Sequence, residues 1–300
     1  MSPRLTSRPP RRIAITRARK RTMASHSMGH RRYQKDPSFL RGRRMTVRYE
    51  VAAGKATITI DDPGRRNPMS VETMSGLLGA TRQAVDDPEV DVIVYTGAGD
   101  RAFSAGGDLS GGFADDPIGL HKARGDLGEL FRLMIRGGKP TVARVNGDAL
   151  AGGFGLAVAC DITICVDDAI LGTTEIRVGL WPMVISALLA RVMPRKVALE
   201  LMLTGRTIDP VEAQRLGAVS RVVPRAELDG EVDQVVAGLL SSSPAVLMLG
   251  KDSFWGMADA DLDTALDRLQ GGFTEIVLTD DAVEGISAFL DKRDPDWSGT

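Results

Sequence analysis

The 300-residue chain is 43% hydrophobic and 26% charged, enough for one large α/β domain with an appendage or for two domains, and no apolar run reaches membrane-span length. The net charge of −1 averages two opposite segments: residues 1–44 hold fourteen Arg and Lys against one acid, Asp36, which leaves 24 basic and 38 acidic residues in the remainder. That acidic remainder argues against a nucleic-acid face. Cys160 and Cys165 lie in one apolar stretch without CxxC spacing, and read as buried, reduced thiols.

Residues 1–44 are rich in Arg, Ser and Pro and lack apolar periodicity, which predicts a disordered basic extension outside the working unit. A transit peptide or an RNA-binding arm are the other readings of such a composition. Ordinary domain composition begins at Met45. Alternating residues predict strands over 47–52 and 56–60 that meet in a hairpin at Ala53-Gly54. A loop follows over 61–68, and Ser70 with Glu72 caps a helix to about Val85. Residues 91–96 read as a buried strand. The Gly97-Ala98-Gly99-Asp100-Arg101-Ala102 that follows superficially matches a dinucleotide fingerprint, but a loop, 103–109, continues where a helix should open. Ser104 has no G-x-S-x-G context.

A helix is predicted over 120–135, then a buried strand over 141–145 leading into Asn146-Gly147 and Gly152-Gly153. A strand, a Gly-Gly turn and a helix start leave amide N–H groups pointing outward at the positive end of a helix. Such a place suits an anion, or an oxygen about to become one. Strands over 162–166 and 170–175 follow, with helices over 184–192, 195–203, 210–216 and 228–240. Residues 243–292 are almost wholly helical in pattern. The expected organisation is thus an extension over 1–44, an α/β core over 45–240 and a helical region over 241–300.

Elimination narrows the chemistry. His121 is the only histidine outside the extension and sits on a polar helix, so neither a Ser-His-Asp triad nor a His-rich metal site is expected. Glu175 stands among Leu171, Ile176, Val178, Leu180 and Trp181, where desolvation would favour a proton donor or acceptor near neutral pH. The alternative is a structural acid capping Thr173 or Thr174.

Three separated motifs, in order and at matching spacing, carry a resemblance. Phe103-Ser104-Ala105-Gly106-Gly107-Asp108-Leu109 is followed by Val145-Asn146-Gly147 through Gly153 and Ala159-Cys160-Asp161, then by Thr174-Glu175-Ile176-Arg177-Val178-Gly179-Leu180. With Leu203-Thr204-Gly205-Arg206, Leu216-Gly217-Ala218-Val219 and Val222-Val223-Pro224, the chain over 45–300 closely resembles the crotonase (enoyl-CoA hydratase/isomerase) superfamily. The resemblance implies an α/β fold built as a crotonase-like spiral of β-β-α units with a helical C-terminal region. It also implies an oxyanion hole from the N–H groups of Gly107 and Gly152, and proton transfer by Glu175. Two donors about 2.7–3.1 Å from a thioester oxygen would stabilise the enolate charge concentrated there.

By the same resemblance, Ala105, Asp108, Leu109 and Gly153 flank the substrate. Trp181 and Met183 either reshape the acyl pocket or belong to ordinary packing. Arg65 and Arg66 either approach the phosphates of coenzyme A or are solvated. Relatives with two glutamates carry the first at the place of Gly155, so the two-carboxylate water site is incomplete in this chain. The implied activity is an acyl-CoA lyase of the hydratase type acting on a 2-enoyl-CoA; an enoyl-CoA isomerase, a CoA-thioester hydrolase and a non-catalytic paralogue are the alternatives. No metal is implied, and no cofactor beyond the coenzyme A of the substrate. A homotrimer or hexamer in the cytoplasm, with no nucleic-acid or membrane partner, completes the expectation.

Overall fold

The computed structural model describes residues 46–109 and 117–300. The basic extension therefore lies outside the described residues, while residues 44–300, core and C-terminal helices together, form one compact unit. The strands are β1 (Val47–Ala52), β2 (Lys55–Ile60), β3 (Val92–Gly97), β4 (Ala102–Ser104), β5 (Thr141–Val145), β6 (Asp148–Leu150), β7 (Ile162–Val166), β8 (Leu171–Gly172), β9 (Thr207–Ile208) and β10 (Arg221–Val223). The helices that matter for the site are α1 (Val71–Asp86), α2 (Pro117–Arg136), α3 (Gly152–Ala159) and α4 (Met183–Val192). After them come α5 (Arg195–Thr204), α6 (Pro210–Arg215), α7 (Leu228–Leu240), α8 (Pro244–Met257), α9 (Leu262–Val277) and α10 (Asp280–Asp291).

A six-stranded sheet runs in the order β1-β2-β3-β5-β7-β10, antiparallel only between β1 and β2. The hairpin turns at Ala53 and Gly54, both at positive φ (49° and 78°), as a two-residue loop of this type requires. Every residue of β3 is buried, and β5 and β7 nearly so, which is why these strands read as continuous apolar runs. A second, small sheet runs β4-β6-β8-β9, with the first three parallel and β9 antiparallel.

The two sheets alternate along the chain. β3 then β4, β5 then β6, and β7 then β8 each place one strand in the large sheet and the next in the small one. A helix, α2, α3 or α4, then closes each pair. This is the spiral of β-β-α units, repeated three times. Two buried asparagines hold its turns together. Asn146 accepts from the Gly97 N–H at 3.1 Å and donates to the Gly99 carbonyl at 2.7 Å; Asn67 accepts from the Asp62 N–H at 3.0 Å and donates to the Ala102 carbonyl at 2.8 Å.

Local signals placed α1 and α7 well: the Ser70 hydroxyl accepts from the Thr73 N–H at 3.1 Å, and α7 spans the predicted residues. Elsewhere the structure corrects the reading. The stretch expected to be loop from Phe103 begins as β4, with Phe103 fully buried, because it pairs with β6. The strand expected over 170–175 stops at Gly172. Glu175–Val178 instead winds into a 3-10 turn closed by Gly179 at φ 76°, whose N–H bonds back to the Glu175 and Ile176 carbonyls. α2 starts earlier than expected, and β6, β9 and β10 are too short to show periodicity.

Candidate active site

The candidate residues gather at one edge of the small sheet. Gly107 lies three residues beyond the end of β4, Gly152 two beyond β6 and Glu175 three beyond β8, so three parallel strands deliver them to the same side. Together they line a cleft of about 700 Å³.

The segments after β4 and β6 run in contact. A Cβ on Gly106 would stand 2.5 Å from the Cβ of Ala151, and a Cβ on Gly153 would stand 2.5 Å from the Ser104 carbonyl oxygen. Both glycines are therefore required by close approach. The loop carrying Gly107 is tied to the start of α1: Met69 N–H donates to the Gly106 carbonyl at 2.7 Å, and Ala105 N–H donates to the Arg66 carbonyl at 2.9 Å. Ala151 is held at φ 51°, ψ −124°, a conformation costly for a residue with a side chain, by its N–H bond to Gly172 and by the Gly155 N–H bond to its carbonyl. The result turns Gly152 into the first residue of α3. Neither the Gly107 nor the Gly152 N–H donates a hydrogen bond to any acceptor among the described residues. Two amide donors thus border one cleft, one of them at a helix start.

Glu175 lines the same cleft. Its Oε2 is buried without a hydrogen-bond partner among the described residues, and burial pushes its carboxyl above the ordinary value. The capping alternative is not realised at Thr173, whose fully buried hydroxyl also lacks a partner among the described residues. The carboxyl is poised to take and return a proton.

Ala105, Asp108, Leu109, Trp181 and Met183 line the cleft as well. Gly153 does not; it is buried against Ser104. Arg65 is also outside the lining, paired at 2.8 Å with both Asp62 and Asp108, and Arg66 is exposed. Sequence reasoning missed Met69, Glu72, Leu127 and Ile185, which line the cleft, and the strained Ala151. Only the small-residue run around Ala151 hinted at its role. His121 is exposed, both cysteines are buried and free, and burial raises the Cys165 thiol to about 12. No cluster of three metal-ligating side chains occurs among the described residues.

Two sheets wound as β-β-α turns, with paired amide donors and a buried carboxyl at the small sheet's edge, define a crotonase-fold protein. The chain belongs to the enoyl-CoA hydratase/isomerase family, whose sequence model matches residues 50–300. It is 36% identical over 243 residues to a Thermus thermophilus protein provisionally named an enoyl-CoA hydratase, covering 80% of this chain and 96% of that protein. It is 34% identical over 251 residues to the carnitinyl-CoA dehydratase of Escherichia coli, covering 81% and 94%. Among solved structures, human enoyl coenzyme A hydratase domain-containing protein 3 superposes with a TM-score of 0.80 at 32% identity, covering 84% of this chain and all of the other.

Proposed function

We propose that the chain is a hydro-lyase that adds water to a 2-enoyl-CoA thioester, or removes it, through an enolate held by the Gly107 and Gly152 amides, with Glu175 as the single proton carrier. The observation that carries this reading is a half-buried carboxyl, its Oε2 without a hydrogen-bond partner among the described residues, lining one cleft with two N–H groups that donate to no acceptor there. The thioester carbonyl would accept from both amides, and negative charge would grow on its oxygen as water adds at C3. Glu175 as carboxylate takes a proton from that water while the hydroxyl bonds to C3, then delivers the proton to C2 as the enolate collapses. The carboxylate is restored, and no cofactor beyond the coenzyme A of the substrate is called for. A carboxyl whose ionised form is disfavoured by burial suits both halves of this shuttle. The names of the Thermus and Escherichia relatives, one for adding water and one for removing it, support hydro-lyase chemistry.

A second reading is favoured by one observation. Gly155 carries no acid, so a lone Glu175 could as well move a proton between C2 and C4 and shift the double bond. Incubation with a 2-enoyl-CoA and with a 3-enoyl-CoA separates the readings. Formation of a 3-hydroxyacyl-CoA with loss of enoyl absorbance supports hydration, migration without water supports isomerisation, and free thiol release would point to hydrolysis. Failure of every thioester to react would overturn the assignment.

The same reading includes self-association as a homotrimer or a pair of trimers. Support comes from the large apolar side chains left exposed on α9 (Leu262, Leu266, Phe273, Val277) and α10 (Val283, Ile286, Phe289, Leu290). No single helix among the described residues is long and apolar enough to cross a membrane.

A further inference from the structure

One residue that lines the cleft stands directly against α3. Ile185, on α4, is only 2% exposed yet lines the cleft. Its Cγ2 lies 2.1 Å, and its Cβ 2.8 Å, from the point where a Cβ on Gly155 would stand, so Ile185 fills the space that any side chain at 155 would need. The Cζ of Phe131, on α2, lies 3.5 Å from the same point. Phe131 in turn lines a second cavity of about 340 Å³, with the apolar Ile135, Leu188 and Trp255 and the charged Arg132, Arg191 and Asp259. Val184 lines both spaces. The two cavities are therefore neighbours, separated where Ile185 and Phe131 meet over a glycine. Gly155 follows Gly152 by three residues, about 4.5 Å along the helix axis. The wall thus stands close behind the amide proposed to hold the thioester carbonyl.

We propose that Ile185 terminates the acyl-binding part of the cleft and restricts the protein to thioesters of short acyl groups, the second cavity being space that a longer chain reaches only when this side chain is reduced. The inference rests on the acyl-CoA reading given above and adds the substrate class. A long alkyl chain entering the native cleft must displace a branched, buried side chain packed on two helices, the kind of overpacking that costs a tenfold loss or more in binding. With the wall lowered, each further methylene taken out of water tightens binding by about fourfold.

Calorimetric titration with butyryl-, hexanoyl-, octanoyl- and decanoyl-CoA, saturated and so unable to turn over, tests this on the full chain. The native protein should bind butyryl-CoA and bind decanoyl-CoA at least about tenfold more weakly. Ile185→Ala should reverse the order, gaining about fourfold per methylene until the second cavity is filled. Phe131→Leu, which withdraws Cζ from the other half of the wall and keeps a large apolar side chain if the alanine variant folds poorly, should shift the profile the same way by a smaller step. If the native protein binds butyryl-CoA but both variants keep its chain-length profile, or if the native protein already prefers decanoyl-CoA, Ile185 is not the terminus. If the native protein binds none of the four, the acyl-CoA reading itself fails, and this inference with it.

Discussion

One added methyl at Gly155 should damage both stability and turnover. The Cβ of Gly155→Ala would stand 2.1 Å from the Ile185 Cγ2, about 1.4 Å short of the separation at which carbon atoms pack. The neighbour has little room to yield. Its own Cβ is 2.8 Å away and belongs to a β-branched residue on a helix, where χ1 is nearly fixed, and Phe131 closes the other direction at 3.5 Å. α3 and α4 must therefore move apart. Overpacking of this kind costs about 1–3 kcal/mol, and the depth of the clash places this substitution near 3. At about 2–4 °C per kcal/mol for a domain of this size, the melting temperature should fall by roughly 6–12 °C. α3 also carries the Gly152 amide, so a displacement of about 1 Å should cost about a hundredfold in kcat. Thermal melts by circular dichroism and steady-state turnover measure the two effects. A cycle with Ile185→Ala, which removes Cγ2, should recover about 0.5–3 kcal/mol of coupling. A Gly155→Ala protein melting within about 2 °C of the native one, equivalent to less than about 1 kcal/mol, would refute the steric argument.

Glu175→Gln should leave the fold intact and lower kcat by about 10²–10⁴-fold; activity within tenfold of native would remove Glu175 from the proton path. Because burial raises its carboxyl above the ordinary 4.5, and the ionised form begins the cycle, turnover should fall with decreasing pH along a limb lying above that value. The folded state then keeps this proton to higher pH than the unfolded chain. Stability should accordingly decline as pH rises from the ordinary carboxyl value through the raised one, and Glu175→Gln should abolish that slope and melt higher at neutral pH. Gly107→Pro deletes one N–H donor; a loss of about 10²–10³-fold in kcat is expected, and retained activity would exclude that amide. Lys251→Met removes donors to the Met134 and Lys139 carbonyls at 2.7 and 2.8 Å and to the Asp161 carboxylate at 2.7 Å. It should cost about 3 kcal/mol, or roughly 6–12 °C, and an unchanged melt would show the network to be dispensable.

Much of the candidate site was legible because two segments in contact demand glycine where they touch, at Gly106 and Gly153. Gly106, Gly107, Gly152 and Gly153 stand out in any reading, and the apolar company of Glu175 announces a desolvated carboxyl. Spacing supplied the helices and the buried strands, since burial on one face or on both leaves a period. The small sheet was largely missed. Strands of two or three residues, such as β4, β6 and β8, carry too few positions for alternation, and their hydrogen bonds go to partners 22 to 46 residues away. Yet that sheet delivers all three site segments to one edge. Likewise the sequence places Asp108 beside the substrate and leaves Arg65 as a phosphate contact or a solvated charge, and only the fold brings the two to 2.8 Å.

Residue identity by itself therefore determined which groups could do chemistry: glycine-rich turns ahead of a helix, one acid in apolar surroundings, and an absent acid at 155. Tertiary structure alone decided which face each of them meets, that Ala151 is bent against its own preference to aim the Gly152 amide, and that the place opposite Gly155 is filled by Ile185. The physical reason is that donor and acceptor types are properties of single residues, whereas direction and volume belong to pairs of segments far apart along the chain, and exist only once those segments have packed.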